Sequence, residues 1–240
     1  MLATGCTFPE ALQAVAHEYG YAGAAPGAPP VKPRPKAIQP PAPPPLVVLS
    51  PEVKRQYAET LPMNDQPSNF ERGLHEAFGL PWPTIQAWSN TMLFFPANGK
   101  GDVAFEYVDT EDRTRQIKVM GYYPHTCKKT GAVDQIAKRW YGKDQIEARK
   151  AEIRNGFYGA HRLQWYPRSP ACIVESEKTA ILANIFFPAQ IWIATGGISR
   201  PKLEPEDLAA LRYRGELMLW PDLSKPEDEN SCFNQWKAWA

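Results

Sequence analysis

Residues 171–187 read "ACIVESEKTAILANIFF". A short apolar run ends on Glu175, and Ser176, Glu177 and Lys178 follow before an apolar helical pattern resumes. Further on, Thr195-Gly196-Gly197 closes a second apolar run and Asp222 closes a third, "ELMLWPD". Carboxylates with no histidine or thiolate beside them make a hard-oxygen environment. That suits Mg²⁺ (or Mn²⁺), which keeps several waters and needs only one or two carboxylates plus phosphate oxygens. Lys178, in the first turn of the following helix, adds a positive donor, and the helix N-terminus adds N–H groups that favour an anion. The paired glycines let backbone approach a ligand closely. Metal, lysine and helix N-terminus together suit phosphate chemistry. A plainer reading of the same letters stands beside this one: Ser176 caps a helix with Thr179 at its third position, and Gly196-Gly197 is a tight turn.

These residues meet only if the elements carrying them end side by side. Residues 168–240 alternate short apolar strands with helical patterns: a strand at Ala171–Glu175, a helix at about 178–187, a strand in "QIWIATGG", a helix in "EPEDLAALRY", a strand in "ELMLWPD" and a last amphipathic segment "SCFNQWKAWA". Such alternation predicts a parallel sheet covered by helices, with the ligand crevice at the carboxyl ends of the strands. Glu175, Thr195, Gly196, Gly197 and Asp222 then share one edge. Trp236 and Trp239, three apart on the last segment, read as core.

Upstream, residues 50–165 form a different block. "SPEVKRQYAETL", capped by Ser50 with Pro51 at its first position, and "NFERGLHEAFG" read as helices. "NTMLFFPA", "GDVAFEYVDT" and "RTRQIKVMGYY" read as strands separated by turn signals, and residues 133–152 as loop plus helix. Residues 23–49 are dominated by proline, which lacks the N–H and fixes φ; they read as a polyproline-II linker. Ahead of it, Thr7, Pro9 and Glu10 open one short helix with a Leu12, Val15, Ala16 and Tyr19 stripe. The fold class expected is therefore α/β: a C-terminal parallel sheet with flanking helices, preceded by a small α+β domain and a Pro-rich linker.

With 240 residues, 43% of them hydrophobic, the chain can bury a real core. Its 27 Lys+Arg balance 26 Asp+Glu, so only a local patch can argue for a polyanion partner. No apolar run approaches a membrane span, and the N-terminus lacks the basic region and apolar core of a secretory signal; no membrane partner and a cytoplasmic location are expected. Cys6, Cys127, Cys172 and Cys232 form no CxxC pair, so free thiols and no zinc in this chain are expected.

"IVESEKTA" and "LMLWPD" resemble the first and second motifs of the Toprim-like domain of DNA primase-related proteins from phages and mobile elements. "FYGAHRLQWYP" and "IKVMGYYPHTCKKTG" resemble the segments leading into it, so the similarity spans roughly residues 85–240. "TGCTFPEALQAVAHEYG" is similar to the tail of a bacterial-type primase zinc-binding domain, with the zinc ligands expected upstream. The resemblance divides the chain into a remnant helix (1–22), the linker (23–49), a nucleic-acid-binding middle domain (50–165) and a Toprim-like domain (166–240). It implies Mg²⁺-dependent phosphoryl transfer on nucleic acid, by a primase-like nucleotidyltransferase or a Toprim nuclease. Glu175 would be the catalytic acid/base or metal-proximal glutamate, and Asp222 a metal ligand. Two departures stand out: Asp222-Leu223-Ser224 where the family reads Asp-x-Asp, and Thr179 where an aspartate is common. Glu177, Glu227 or Asp228 would then have to supply the missing acid.

The middle block carries Lys128, Lys129, Lys138, Arg139, Lys143, Arg149, Lys150 and Arg154, with Trp140, Tyr141, Phe157 and Tyr158 interleaved. Cations for phosphates and aromatics for stacking suit single-stranded DNA or RNA; a solvated helix face over core aromatics gives the same composition. His161 reads as a packed histidine. Two functions follow: a metal-dependent nucleic-acid-processing enzyme, or a non-catalytic adaptor that binds nucleic acid and a replicative helicase or initiator.

Overall fold

The computed structural model describes residues 47–61, 66–148, 155–197, 211–212 and 216–222, with Ala209 and Trp236 as single positions. The chain divides into Met1–Pro43 and Pro44–Ala240, and every described residue lies in the second unit. The N-terminal helix, most of the proline-rich stretch, Glu227, Asp228 and Trp239 lie outside the described residues.

Local chemistry sets the first elements. Helix α1 (Pro51–Glu59) begins where Ser50 Oγ accepts from the Val53 amide at 3.2 Å. Helix α2 (Asn69–Phe78) opens on a reciprocal capping box between Ser68 and Glu71 and stops at Gly79, whose φ is +67°. Helix α3 (Trp82–Met92) was not legible in the sequence, where a strand was expected from Asn90. Prolines at its start and buried Ile85 and Met92 at helical spacing explain it. The strand is shortened to β1 (Phe94–Pro96).

Strands β1, β2 (Val103–Val108), β3 (Thr114–Tyr122) and β4 (Lys129–Gln135) form an antiparallel sheet in that order. β4 also went unread, because Lys129, Thr130 and Gly131 are exposed and show no apolar alternation, as suits the outer strand of this sheet. Helix α4 (Ile136–Ala148) follows, broken at Gly142, and α5 (Arg162–Trp165) is a single turn. Then β5 (Ala171–Val174), helix α6 (Glu177–Phe186), β6 (Ile191–Ala194) and β7 (Leu217–Trp220) follow among the described residues. Their three strands are parallel in the order β6-β5-β7, the arrangement the sequence alternation predicts.

One core joins the two sheets. Phe70, Met92, Phe105, Tyr107 and Tyr122 pack in the same cluster as Val174, Ile181, Trp192 and Ala194. Tyr158 bridges them: its backbone pairs with Ala194, and its ring lies against Phe105 and Tyr107. The opposite face of the antiparallel sheet packs Ile117 and Val119 against Leu49, Tyr57 and Ile136. Asn184 fastens α6 to β6, its side chain donating to the Trp192 carbonyl and accepting from the Trp192 amide. No helix among the described residues is long and apolar enough to cross a membrane.

His161 is buried, as expected of a packed histidine, with Nε2 3.0 Å from the Thr91 carbonyl. Burial lowers its pKa below the ordinary 6.5; Arg162 acts the same way, while the Thr91 contact and the more distant Asp112 and Glu106 oppose. The unfolded chain therefore takes up the proton first. This contribution to stability is complete above pH ~6.5 and is lost as pH falls toward the folded value, at a slope of at most about 1.4 kcal/mol per unit. Denaturant unfolding between pH 7.5 and 5.5 should show that fall. His161→Gln, which keeps a donor for Thr91, should flatten it.

Candidate functional site at the carboxyl edge of the parallel sheet

The register of the parallel strands fixes what lies at their ends. Val174 pairs with Ala194 on one side and with Trp220 on the other, so β5, β6 and β7 finish level. Glu175 follows the middle strand at once, Thr195-Gly196-Gly197 follows β6, and Asp222 stands two residues beyond β7. The structure therefore brings the sequence candidates Glu175, Thr195, Gly196, Gly197 and Asp222 to one edge. Glu175 is half-buried and Asp222 exposed.

The Thr195–Gly197 turn is laced to Glu175 through the backbone. The Gly197 amide donates to the Glu175 carbonyl at 2.7 Å, the Thr195 hydroxyl reaches the same oxygen at 3.3 Å, and the Thr195 amide donates to Val174 at 3.0 Å. Gly196 has φ +82°, and a Cβ there would lie 2.4 Å from the Tyr107 hydroxyl oxygen. Only glycine meets both conditions.

Ser176 caps α6, its Oγ accepting from the Thr179 amide at 3.2 Å and lying 2.8 Å from the Thr179 hydroxyl. Thr179, at the position where related motifs carry an acid, is thus part of a cap. Glu177 lies on the buried stripe of α6 with Ala180, Ile181 and Asn184, and is 0% exposed. Its Oε1 accepts from Lys118 Nζ at 2.7 Å and from the Tyr107 hydroxyl at 2.5 Å. Lys118 Nζ also donates to the Gly196 carbonyl at 2.7 Å. Burial would raise the Glu177 pKa, but the Lys118 ammonium and the two hydrogen bonds outweigh it and hold the carboxyl below the usual range. Expected from the sequence to stand in for a missing metal ligand, Glu177 is instead an ionised carboxylate inside the protein, with one oxygen committed to a lysine. Its Oε2 has no hydrogen-bond partner among the described residues.

Sequence reasoning missed Lys118 and Tyr107. Lys118 pairs with Phe105 across β2 and β3, between Ile117 and Val119, which face the other cluster, so it points into the main core. A lysine at an apolar position of "IKVMGYY" and a glutamate in register with Ala180 and Ile181 were the two signals available.

Lys178, expected as a catalytic donor, is half-buried, and its Nζ donates to the Cys127 carbonyl at 3.1 Å. That contact brings the turn carrying exposed Lys128 and Lys129 to the first turn of α6. Lys138 and Arg139 are exposed on α4, and Arg139 pairs with Asp134 at 2.6 Å. Lys143 follows the break at Gly142, and its side chain is outside the described structure. Trp140 and Tyr141 do not stand free as stacking platforms: both are half-buried against the Leu49–Ile136 cluster, and the Tyr141 hydroxyl donates to the Val48 carbonyl at 3.0 Å. Cys127 and Cys172 are free buried thiols.

Glu175 and Asp222 are hard oxygen donors on neighbouring strand ends, which fits a hydrated Mg²⁺ or Mn²⁺. Among the described residues, no group of three or more histidine, cysteine, aspartate or glutamate side chains is close enough together to hold a metal ion unaided.

Residues 92–223 match the family model described as Domain of unknown function (DUF6371), more than half of the chain. The chain belongs to the DUF6371 family. The DUF6371 segment runs from the end of α3 to just past Asp222, so it contains both sheets and the whole edge described above. A search of curated proteins gives no match. Among solved structures, the E. coli primase catalytic core aligns with 78% of this chain and 59% of its own, at 12% identity and a TM-score of 0.37. A DnaG primase catalytic domain bound to single-stranded DNA aligns with 78% and 57%, at the same identity and score. This chain thus spans less than two thirds of either.

Replacing Gly196 by alanine combines a strained positive φ with a clash against a ring hydroxyl that Glu177 holds in place. Gly196→Ala should lower unfolding stability by about 2 kcal/mol or more. Adding Tyr107→Phe, which removes the oxygen in the way, should restore part of that loss in denaturant melts.

Proposed function

We propose that this DUF6371 protein processes nucleic acid through a Toprim-like site, with a divalent ion held by Glu175 and Asp222. The observation that carries the reading is the level, parallel ending of β5 and β7, which sets the two acids on adjacent strand ends. The resemblance of "IVESEKTA" and "LMLWPD" to Toprim-like motifs gives that placement its chemistry. When bound, Mg²⁺ or Mn²⁺ would supply charge neutralisation and Lewis acidity for phosphate oxygens. Glu175 would hold the ion or move a proton at its carboxylate. The exposed ammonium groups of Lys128 and Lys129 would steady phosphates, a role the Thr195 and Gly197 amides do not share because they are committed to the Val174 and Glu175 carbonyls. In this reading residues 166–240 carry the site, and residues 50–165 hold single-stranded DNA or RNA. The setting proposed is primer synthesis or a related replication step of a phage or mobile element, alongside a helicase or initiator.

The position of Glu177 supports a second reading. With that acid tied to Lys118, two of the candidate carboxylates remain at the edge among the described residues, which suits a module that binds nucleic acid without turning it over.

Glu175→Gln and Asp222→Asn separate the two. Mn²⁺ binding, followed by electron paramagnetic resonance, should weaken at least about tenfold in each variant while the melting curve stays in place. Metal-dependent primer synthesis or cleavage by the parent, lost in both variants, supports the enzyme. Parent-like activity in Glu175→Gln would sink the role assigned to that residue. Single-strand binding that persists in both, with no turnover by the parent, supports the adaptor.

A further inference from the structure

We infer that Lys118, through Glu177 and Gly196, is a positioning residue for the Glu175 carboxylate. The inference rests on the reading of Glu175 as the metal-proximal acid. Glu175 occupies a junction with no regular structure of its own, between the end of β5 and the cap of α6. Two backbone segments fix it: the Thr195–Gly197 turn, which binds its carbonyl, and the first turn of α6, which begins two residues later. Lys118 Nζ grips both at once, Gly196 by its carbonyl and Glu177 by its carboxylate, each at 2.7 Å. Lys118 comes from β3 of the other sheet, and Tyr107 of β2 adds a hydroxyl to the same carboxylate oxygen. The antiparallel sheet thereby sets the distance between the two segments that flank Glu175.

The ion pair is deep in the core, where a charge without a partner is strongly disfavoured. Lys118 is 6% exposed and Glu177 0%. Any displacement of the turn or of the first turn of α6 away from Lys118 would leave a buried carboxylate or carbonyl without its donor. The grip is therefore stiff, and its stiffness passes to Glu175 through covalent neighbours and the Gly197 hydrogen bond.

The test uses Lys118→Met, which keeps the length of the side chain and removes its donor, read by native-state amide exchange and by Mn²⁺ titration of the full chain. Exchange at the Thr195 and Gly197 amides should speed up about tenfold or more beyond any change at Phe105 and Ile173, and Mn²⁺ affinity should fall by a similar factor. A purely structural lysine would lower protection at all four amides together. A folded Lys118→Met with unchanged protection at Thr195 and Gly197 and parent-like Mn²⁺ affinity overturns the inference. Should Lys118→Met fail to fold, Lys118→Gln, whose shorter side chain cannot bridge Glu177 and the Gly196 carbonyl, should still show faster exchange at Thr195 and Gly197 than at Phe105 and Ile173; no such difference also overturns it. Glu175→Gln run in parallel tells the two failures apart. If it binds Mn²⁺ as the parent does, the site itself is wrong; if it loses binding while Lys118→Met keeps it, only the positioning role is wrong.

Discussion

The ion pair between Lys118 and Glu177 is the constraint on which the relation of the two sheets depends. Both side chains are buried, and isolated charges of this kind cost several kcal/mol each to bury. They are tolerated because the geometry is closed around them: a 2.7 Å contact between the two, a tyrosine hydroxyl on the carboxylate and a backbone carbonyl on the ammonium. Apolar packing between the sheets would accept many small slips, because it has no direction. A buried ion pair accepts few. It fixes which residue of β3 faces which residue of α6, and through Gly196 it fixes where β6 stops. In general a buried ion pair contributes little net stability compared with a well-packed apolar substitute.

Glycine at position 196 is a consequence of that closure. The Tyr107 hydroxyl must reach Glu177, and in doing so it occupies the space a Cβ would need. The turn therefore has two reasons to contain glycine there, a positive φ and a neighbour. The same letters "TGG" had suggested backbone access for a ligand. In the fold, Gly196 is buried against a ring and only Gly197 is exposed, so the part of the turn that faces solvent is smaller than the sequence pattern implied.

Much of the architecture was legible because it rests on short-range rules. Ser50, Ser68 and Ser176 cap helices by local hydrogen bonds, and the short apolar strands around α6 pair in parallel as their alternation requires. α3 and β4 escaped for opposite reasons. α3 opens on prolines and carries a few widely spaced buried apolar residues, and β4 is held by pairing with β3 rather than by a pattern of its own. The basic-aromatic segment shows where composition stops being informative. Trp140 and Tyr141 beside Lys138 and Arg139 fit a stacking surface or a helix lying on a core equally well, and only the tertiary structure shows both rings half-buried against Leu49 and Ile136. Glu177 was named to replace the acid that the second motif lacks, whereas helical periodicity assigns it to the inward face with Ala180 and Ile181.

That reassignment changes the electrostatics proposed for the strand ends. Had Glu177 joined Glu175 and Asp222, three carboxylates would have faced a divalent ion with negative charge to spare. Paired with Lys118, Glu177 adds no net charge, and among the described residues Glu175 and Asp222 would match the charge of a divalent cation. Two carboxylates would leave most of a divalent ion's coordination positions to water and phosphate oxygens. An edge of this kind would grip metal best when the phosphate is already there, steadied by the lysines that the Lys178–Cys127 contact brings close.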